Sequence, residues 1–156
     1  MRVEKDFRDF LKSLNEKKAK YLIVGGFAYS FHAEPRYTRD IDVLVEATER
    51  NGGKIIAAIA DFWGTEPDLQ AADFLKDDMI IQLGFAPVRI DVITSCTGIE
   101  FKSAWQNRIT VKYGDICVFF ISLDNLIKNK KAVGRDRDLL DVKYLGRVKA
   151  AKGKSK

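Results

Sequence analysis

The chain has 156 residues, enough for one domain and cramped for two of full size. Hydrophobic residues make up 46% and charged residues 31%, a globular mixture that excludes a mostly disordered chain. Lys and Arg total 27 against 22 Asp and Glu, a formal net charge of +5 that invites a nucleic-acid-binding reading. Lys149, Lys152, Lys154 and Lys156 carry four of those five charges, so the basicity belongs mainly to the C-terminal end.

No apolar run approaches the roughly 18 residues of a membrane span. The opening MRVEKDFRDFLKSLNEKKAK is charged throughout and has no apolar centre of a secretion signal. Cys96 and Cys117 form no CxxC pair and have no histidine at metal-ligand spacing, and they read as two buried thiols. A cytoplasmic protein with no membrane contact is the expectation.

Phe7, Phe10, Leu11 and Leu14 are spaced for a helix over residues 4 to 18. YLIV (21 to 24) reads as a buried strand ending in Gly25-Gly26, a tight turn. FAYSFHA (27 to 33) predicts a short helix stopped by Pro35. A second strand carries Ile41, Val43, Leu44 and Val45, with Asp40 and Asp42 at its start. KIIAAIADFW (54 to 63) predicts a mostly apolar helix, and Asp68 to Lys76 a second short one. MIIQLG (79 to 84) and VRIDVIT (88 to 94) predict a hairpin, with further strands at Ile109–Val111 and ICVFFI (116 to 121). Two helices follow. One runs from Asn125 to Val133, capped by Ser122 or Asp124. The other runs from Asp136 to about Val148, with Leu139, Leu140, Val142, Tyr144 and Leu145 as its apolar set. Residues 1–148 then form a single mixed α/β domain, a central sheet flanked by helices, and 149–156 a flexible lysine-rich tail.

The chemistry concentrates in Arg36-Tyr37-Thr38-Arg39-Asp40-Ile41-Asp42. Strand side chains alternate, so Asp40 and Asp42 share a face about 7 Å apart, with Ile41 and Val43 on the other. Asp91 interrupts the apolar run Val88 to Ile93, where a charge needs a partner or a metal. If that strand lies beside the first, three carboxylates converge and can hold two cations roughly 3.5–4 Å apart, the arrangement used for displacement at phosphorus. Taken singly, Asp-x-Asp also fits a solvated turn and Asp91 an edge position. Gly25-Gly26 lets backbone N–H groups approach an anion at a helix start. No GxxxxGK[ST] or GxGxxG string occurs.

Ile23-Val24-Gly25-Gly26, Asp40-Ile41-Asp42 and Ile90-Asp91-Val92, in that order, resemble the DNA polymerase β-like nucleotidyltransferase superfamily. The string GGFAYSFHAEPRYTRDIDVLV looks most like the small bacterial members related to the AbiEii toxins. Leu126-Ile127, Lys130, Gly134-Arg135, Asp138, Asp141 and Leu145 are similar to that group's C-terminal segment, so the likeness spans about residues 21 to 145. The resemblance implies a nucleotidyltransferase fold and transfer of an NMP from an NTP to an acceptor hydroxyl, with release of pyrophosphate. It implies that Asp40, Asp42 and Asp91 hold Mg²⁺ (two ions, with Mn²⁺ as a substitute) and that Asp91 helps deprotonate the acceptor. It further implies that Gly25 and Gly26 hold the β- and γ-phosphates, and that Lys130 contacts the nucleotide or its phosphates; Arg39, just before the acidic strand, is a further candidate for the nucleotide from its position alone. Glycine replaces the serine that many members carry at position 26, and no large C-terminal helical domain follows. The acceptor must then be met by the short C-terminal helices, a second copy or a partner protein. A non-catalytic half of a toxin–antitoxin-like pair is the alternative, and a basic nucleic-acid binder the third.

Outside these motifs, His32 reads as a packed or surface histidine. Arg36 and Arg39 could reach phosphates or a nucleic-acid backbone, or sit in a solvated loop, and Arg135 to Asp138 read as a solvated helix start with local ion pairs. Phe7, Phe10, Phe27, Tyr29, Phe31, Phe62, Trp63, Phe119 and Phe120 fall at core-like positions.

Overall fold

The computed structural model describes residues 2–38, 40–85 and 88–154. Helix α1 (Lys5–Glu16) buries Phe7, Phe10, Leu11 and Leu14, one stripe at helical spacing. Strand β1 (Tyr21–Val24) is buried at every position and runs directly into α2 (Gly25–His32). Strand β2 (Asp40–Val45) follows, then α3 (Glu49–Trp63), which Thr48 caps by accepting a hydrogen bond from the Asn51 N–H. After a 3-10 turn (Ala71–Leu75) come β3 (Ile80–Phe85), β4 (Val88–Ile93), α4 (Phe101–Gln106), β5 (Ile109–Tyr113) and β6 (Ile116–Phe120). Helices α5 (Leu123–Val133) and α6 (Asp136–Lys154) complete the chain.

The six strands form one sheet in the order β3-β4-β2-β1-β6-β5. β1 is antiparallel to β2 and parallel to β6, and β2 is parallel to β4. Hairpins β3–β4 and β5–β6 extend the two sides. One core joins Phe10, Leu14, Ile55 and Ile59 of α1 and α3 to Ile23, Ile41, Val43 and Val92 of the strands. Ile41 and Val43 thus point into the core, and alternation turns Asp40 and Asp42 away from it.

Several expectations need correction. The helix expected over Asp68–Lys76 is the five-residue 3-10 turn, anchored by buried Phe74 and a reciprocal cap between Gln70 and Asp73. Helix α4, six residues long, is too short to show a period in the sequence and was not expected. The lysine-rich end is not a tail from residue 149, because α6 continues to Lys154 through Lys and Ala, good helix formers, and Lys149 pairs with Asp124. Trp63 is half exposed, near the C-terminal end of α3. Cys117 is exposed on the outer hairpin, whereas Cys96 is half-buried.

Helix α6 departs most. Leu139, Leu140 and Tyr144 of its expected apolar set are exposed, and the buried face carries Asp138, Asp141 and Leu145. The reason is its neighbours: α6 packs on α5 and α2 rather than on the sheet, and α5 presents it with a lysine.

Candidate active site

β1 delivers Gly25 to the acidic strand. The antiparallel register sets Val24 opposite Asp42, so the next residue turns beside the Asp42 carboxylate. Gly25 has φ +66°, the left-handed region, and a Cβ there would collide with Asp42 Oδ2. Glycine is required here on both counts. A Cβ on Gly26 would stand 3.2 Å from Thr38 Cγ2, a tight but lesser contact. Helix α2 begins without a side-chain cap, since the Val24 side chain has no polar atom to offer, so its first N–H groups have no capping side chain.

The parallel β2–β4 register completes the arrangement. It sets Asp42 opposite Asp91 and Asp40 opposite Arg89, four polar side chains on one face. Residues distant in the chain therefore meet as the aspartate spacing predicted. Asp91 is buried, and Asp40 and Asp42 are partly buried. The guanidinium of Arg89 bridges two of the three. Its Nη2 donates to Asp40 Oδ2 at 2.8 Å, and its Nε donates to Asp91 Oδ1 at 3.0 Å. Asp42 makes no side-chain hydrogen bond to another described residue. Burial, Asp91 and Asp40 push its carboxyl up to about 6, against the milder pull of Arg89 and Lys130.

The donor set fits a divalent cation in kind. Carboxylate oxygens are hard ligands, Asp42 and Asp91 stand in register, and glycine at position 25 lets the Asp42 carboxylate lie against the backbone where a Cβ would collide with it. Among the described residues no three acidic, histidine or cysteine side chains are already gathered as a metal cage.

Behind Asp42 lies a second charged cluster that sequence reasoning did not assemble. Lys130 of α5 is buried, and its Nζ donates to Asp141 Oδ2 at 2.8 Å and stands 3.6 Å from Asp138 Oδ1. Arg36 grips the same Asp141 through both terminal nitrogens and lies 3.8 Å over the Tyr29 ring. Ser30 ties the Arg36 backbone to α2. The Lys130 ammonium is thus committed to two carboxylates, and Arg36 is an anchor for the 33–38 segment rather than a solvated phosphate ligand. Arg135 and Asp138 form the local ion pair expected at this helix start, but Asp138 is buried there rather than solvated. Spacing three apart on α6 was the available signal; what it faced was not. Arg39 lies outside the described residues. His32 is packed, with Nε2 bonded to the Ile121 carbonyl at 2.7 Å, and burial holds its pKa down. A cleft of about 790 Å³ bordered by Phe27, Phe31, Thr38 and Val88 opens next to the site, though the aspartates are not among its walls.

Residues 1–149 match the model of a family described as a nucleotidyltransferase of unknown function (DUF6036). The chain belongs to this nucleotidyltransferase family. Its fold is similar to that of the lincosamide antibiotic adenylyltransferase LnuA, solved with lincomycin bound, at 17% identity and a TM-score of 0.57, over 94% of this chain and 98% of that one. No curated protein matches. The mixed sheet flanked by helices and the nucleotidyltransferase likeness expected from the motifs both stand. Among the described residues no helix of this family member is long and apolar enough to cross a membrane.

Proposed function

We propose that the chain transfers an NMP from an NTP to an acceptor hydroxyl in a metal-dependent reaction that releases pyrophosphate. The observation that carries this reading is the meeting of Gly25, just past β1, with Asp42 of β2 and Asp91 of β4 on three neighbouring strands. Asp40, Asp42 and Asp91 would hold divalent cations, Mg²⁺ or Mn²⁺. Bound there, such cations would supply charge neutralisation for the triphosphate and for displacement at the α-phosphorus. The uncapped first turn of α2, with Gly25 and Gly26, orients the β- and γ-phosphates through backbone N–H groups. Asp91, buried at the floor of the site, takes the proton of the attacking hydroxyl. Lys130 offsets the charge on Asp42 from behind while fixed by Asp141. In the reaction the hydroxyl oxygen bonds to the α-phosphorus, the bond to the bridging oxygen breaks, and pyrophosphate leaves with its electron pair.

The neighbour's description as an antibiotic adenylyltransferase makes ATP the first donor to try and a small-molecule hydroxyl the first acceptor. Purified protein with Mg²⁺, α-labelled NTPs and a cell extract should label an acceptor. Asp42→Asn should reduce labelling about 10²–10³-fold, the range found on removing one preorganised electrostatic partner from an active site. Equal labelling by the two proteins would sink the reading.

A further inference from the structure

Arg89 has no assigned role, yet among the described residues it is the cation hydrogen-bonded to two of the three aspartates. Its place is set by the fold. It alternates with Asp91 along β4, on the same face, and the β2 register puts it opposite Asp40. Two hydrogen bonds to Asp91 and one to Asp40 occupy its fork, and the charge of Asp42 acts on it as well. The side chain is 37% exposed, so it can rotate outward without opening the core.

We propose that Arg89 is a resident counter-charge of the acidic site: its guanidinium holds Asp40 and Asp91 in the metal-free protein, and a divalent cation must displace it to take those carboxylates. The inference rests on the metal-dependent reading above. Among the described residues one guanidinium is bonded within the three carboxylates, Lys130 being held by Asp138 and Asp141, and Asp42 is the carboxylate Arg89 does not bond. A divalent cation supplies more charge and can serve oxygens that a planar fork cannot reach together. Once released, the fork suits phosphate oxygens. Metal alone then binds weakly, because it must break the Arg89 pairs, whereas metal with nucleotide gives the guanidinium a new anion.

Mn²⁺ titration followed by electron paramagnetic resonance tests this without turnover. Arg89→Gln should bind Mn²⁺ alone about tenfold more tightly than the parent, and Arg89→Lys should fall between them, a tenfold change being about 1.4 kcal/mol. In the presence of ATP the order should reverse, with Arg89→Gln the weaker binder. In the unmodified protein, the Arg89 Nε–H resonance should lose its exchange protection as Mg²⁺ saturates. If Arg89→Gln and Arg89→Lys bind Mn²⁺ no more tightly than the parent, while Asp42→Asn abolishes binding, the counter-charge idea fails and the metal reading survives. If the parent and the Arg89 variants bind no Mn²⁺ that Asp42→Asn removes, the metal reading fails and takes the proposal with it.

Discussion

At the scale of one residue, Asp42 shows what the site costs the fold. It is half-buried between Asp91 and Asp40, and its carboxyl rises from the ordinary 3.8 to about 6. The folded protein therefore keeps a proton that the unfolded chain has released between about pH 4 and 6. Since the native state binds more protons there, stability falls as pH rises through that window and stays lowered above it. Asp42→Asn removes the repulsion and keeps the shape. Without metal at pH 7.5 it should melt about 2–4 °C above the parent, or about 1 kcal/mol for a chain of this size. The gap should close near pH 4. Calorimetry in EDTA across pH 4–8 checks this, and a variant less stable than the parent at pH 7.5 contradicts it. The aspartates were legible because alternation along a strand is strict. Arg89 was open to the same reasoning, two residues before Asp91 in an apolar run. Its pairing with Asp40 was not, since that depends on a register no local pattern records.

At the scale of elements, α5 and α6 act as a clamp on the segment leading to β2. Gly134, at φ +71°, ends α5 and lets α6 fold back upon it. Lys130 then meets Asp141, which also takes Arg36 from the 33–38 segment. Burial raises the Asp141 pKa, but the Arg36 and Lys130 bonds outweigh it and hold the carboxyl below its ordinary value. A lowered folded pKa gives stability that is present above about pH 4 and lost as pH falls below it. Asp141→Asn leaves a buried lysine and an arginine without their shared anion and should cost about 3–5 kcal/mol at pH 7. Denaturant unfolding reads that loss, and trypsin should cut the 33–38 segment faster at Arg36. Unchanged stability with unchanged cleavage would show that the clamp carries no strain. Gly134 and the three-residue spacing of Asp138 and Asp141 were plain in the sequence. That α6 turns carboxylates inward and leaves Leu139, Leu140 and Tyr144 outside was not, because apolar periodicity assumes an apolar neighbour and α5 offers Lys130 instead.

At the scale of the molecule, the strands showed themselves as runs of β formers, and the order of the motifs fixed the kind of fold. The sheet order and α4 did not show, the first because pairing is non-local and the second because six residues span under two turns. The parallel pairing of β2 with β4 has a kinetic consequence. Helix α3, the 3-10 turn and β3 all lie between the two strands, so their union closes a long loop before any contact rewards it. Asp42 and Asp91 face one another only after that closure. Their repulsion therefore belongs to the finished structure rather than to the barrier, where a hairpin such as β3–β4 can already stand. Relieving it should leave the folding arm of a chevron plot in place and slow unfolding about fivefold for each 1 kcal/mol gained. Stopped-flow measurements on Asp42→Asn in EDTA decide this: a faster folding arm would mean that the two acidic strands meet early.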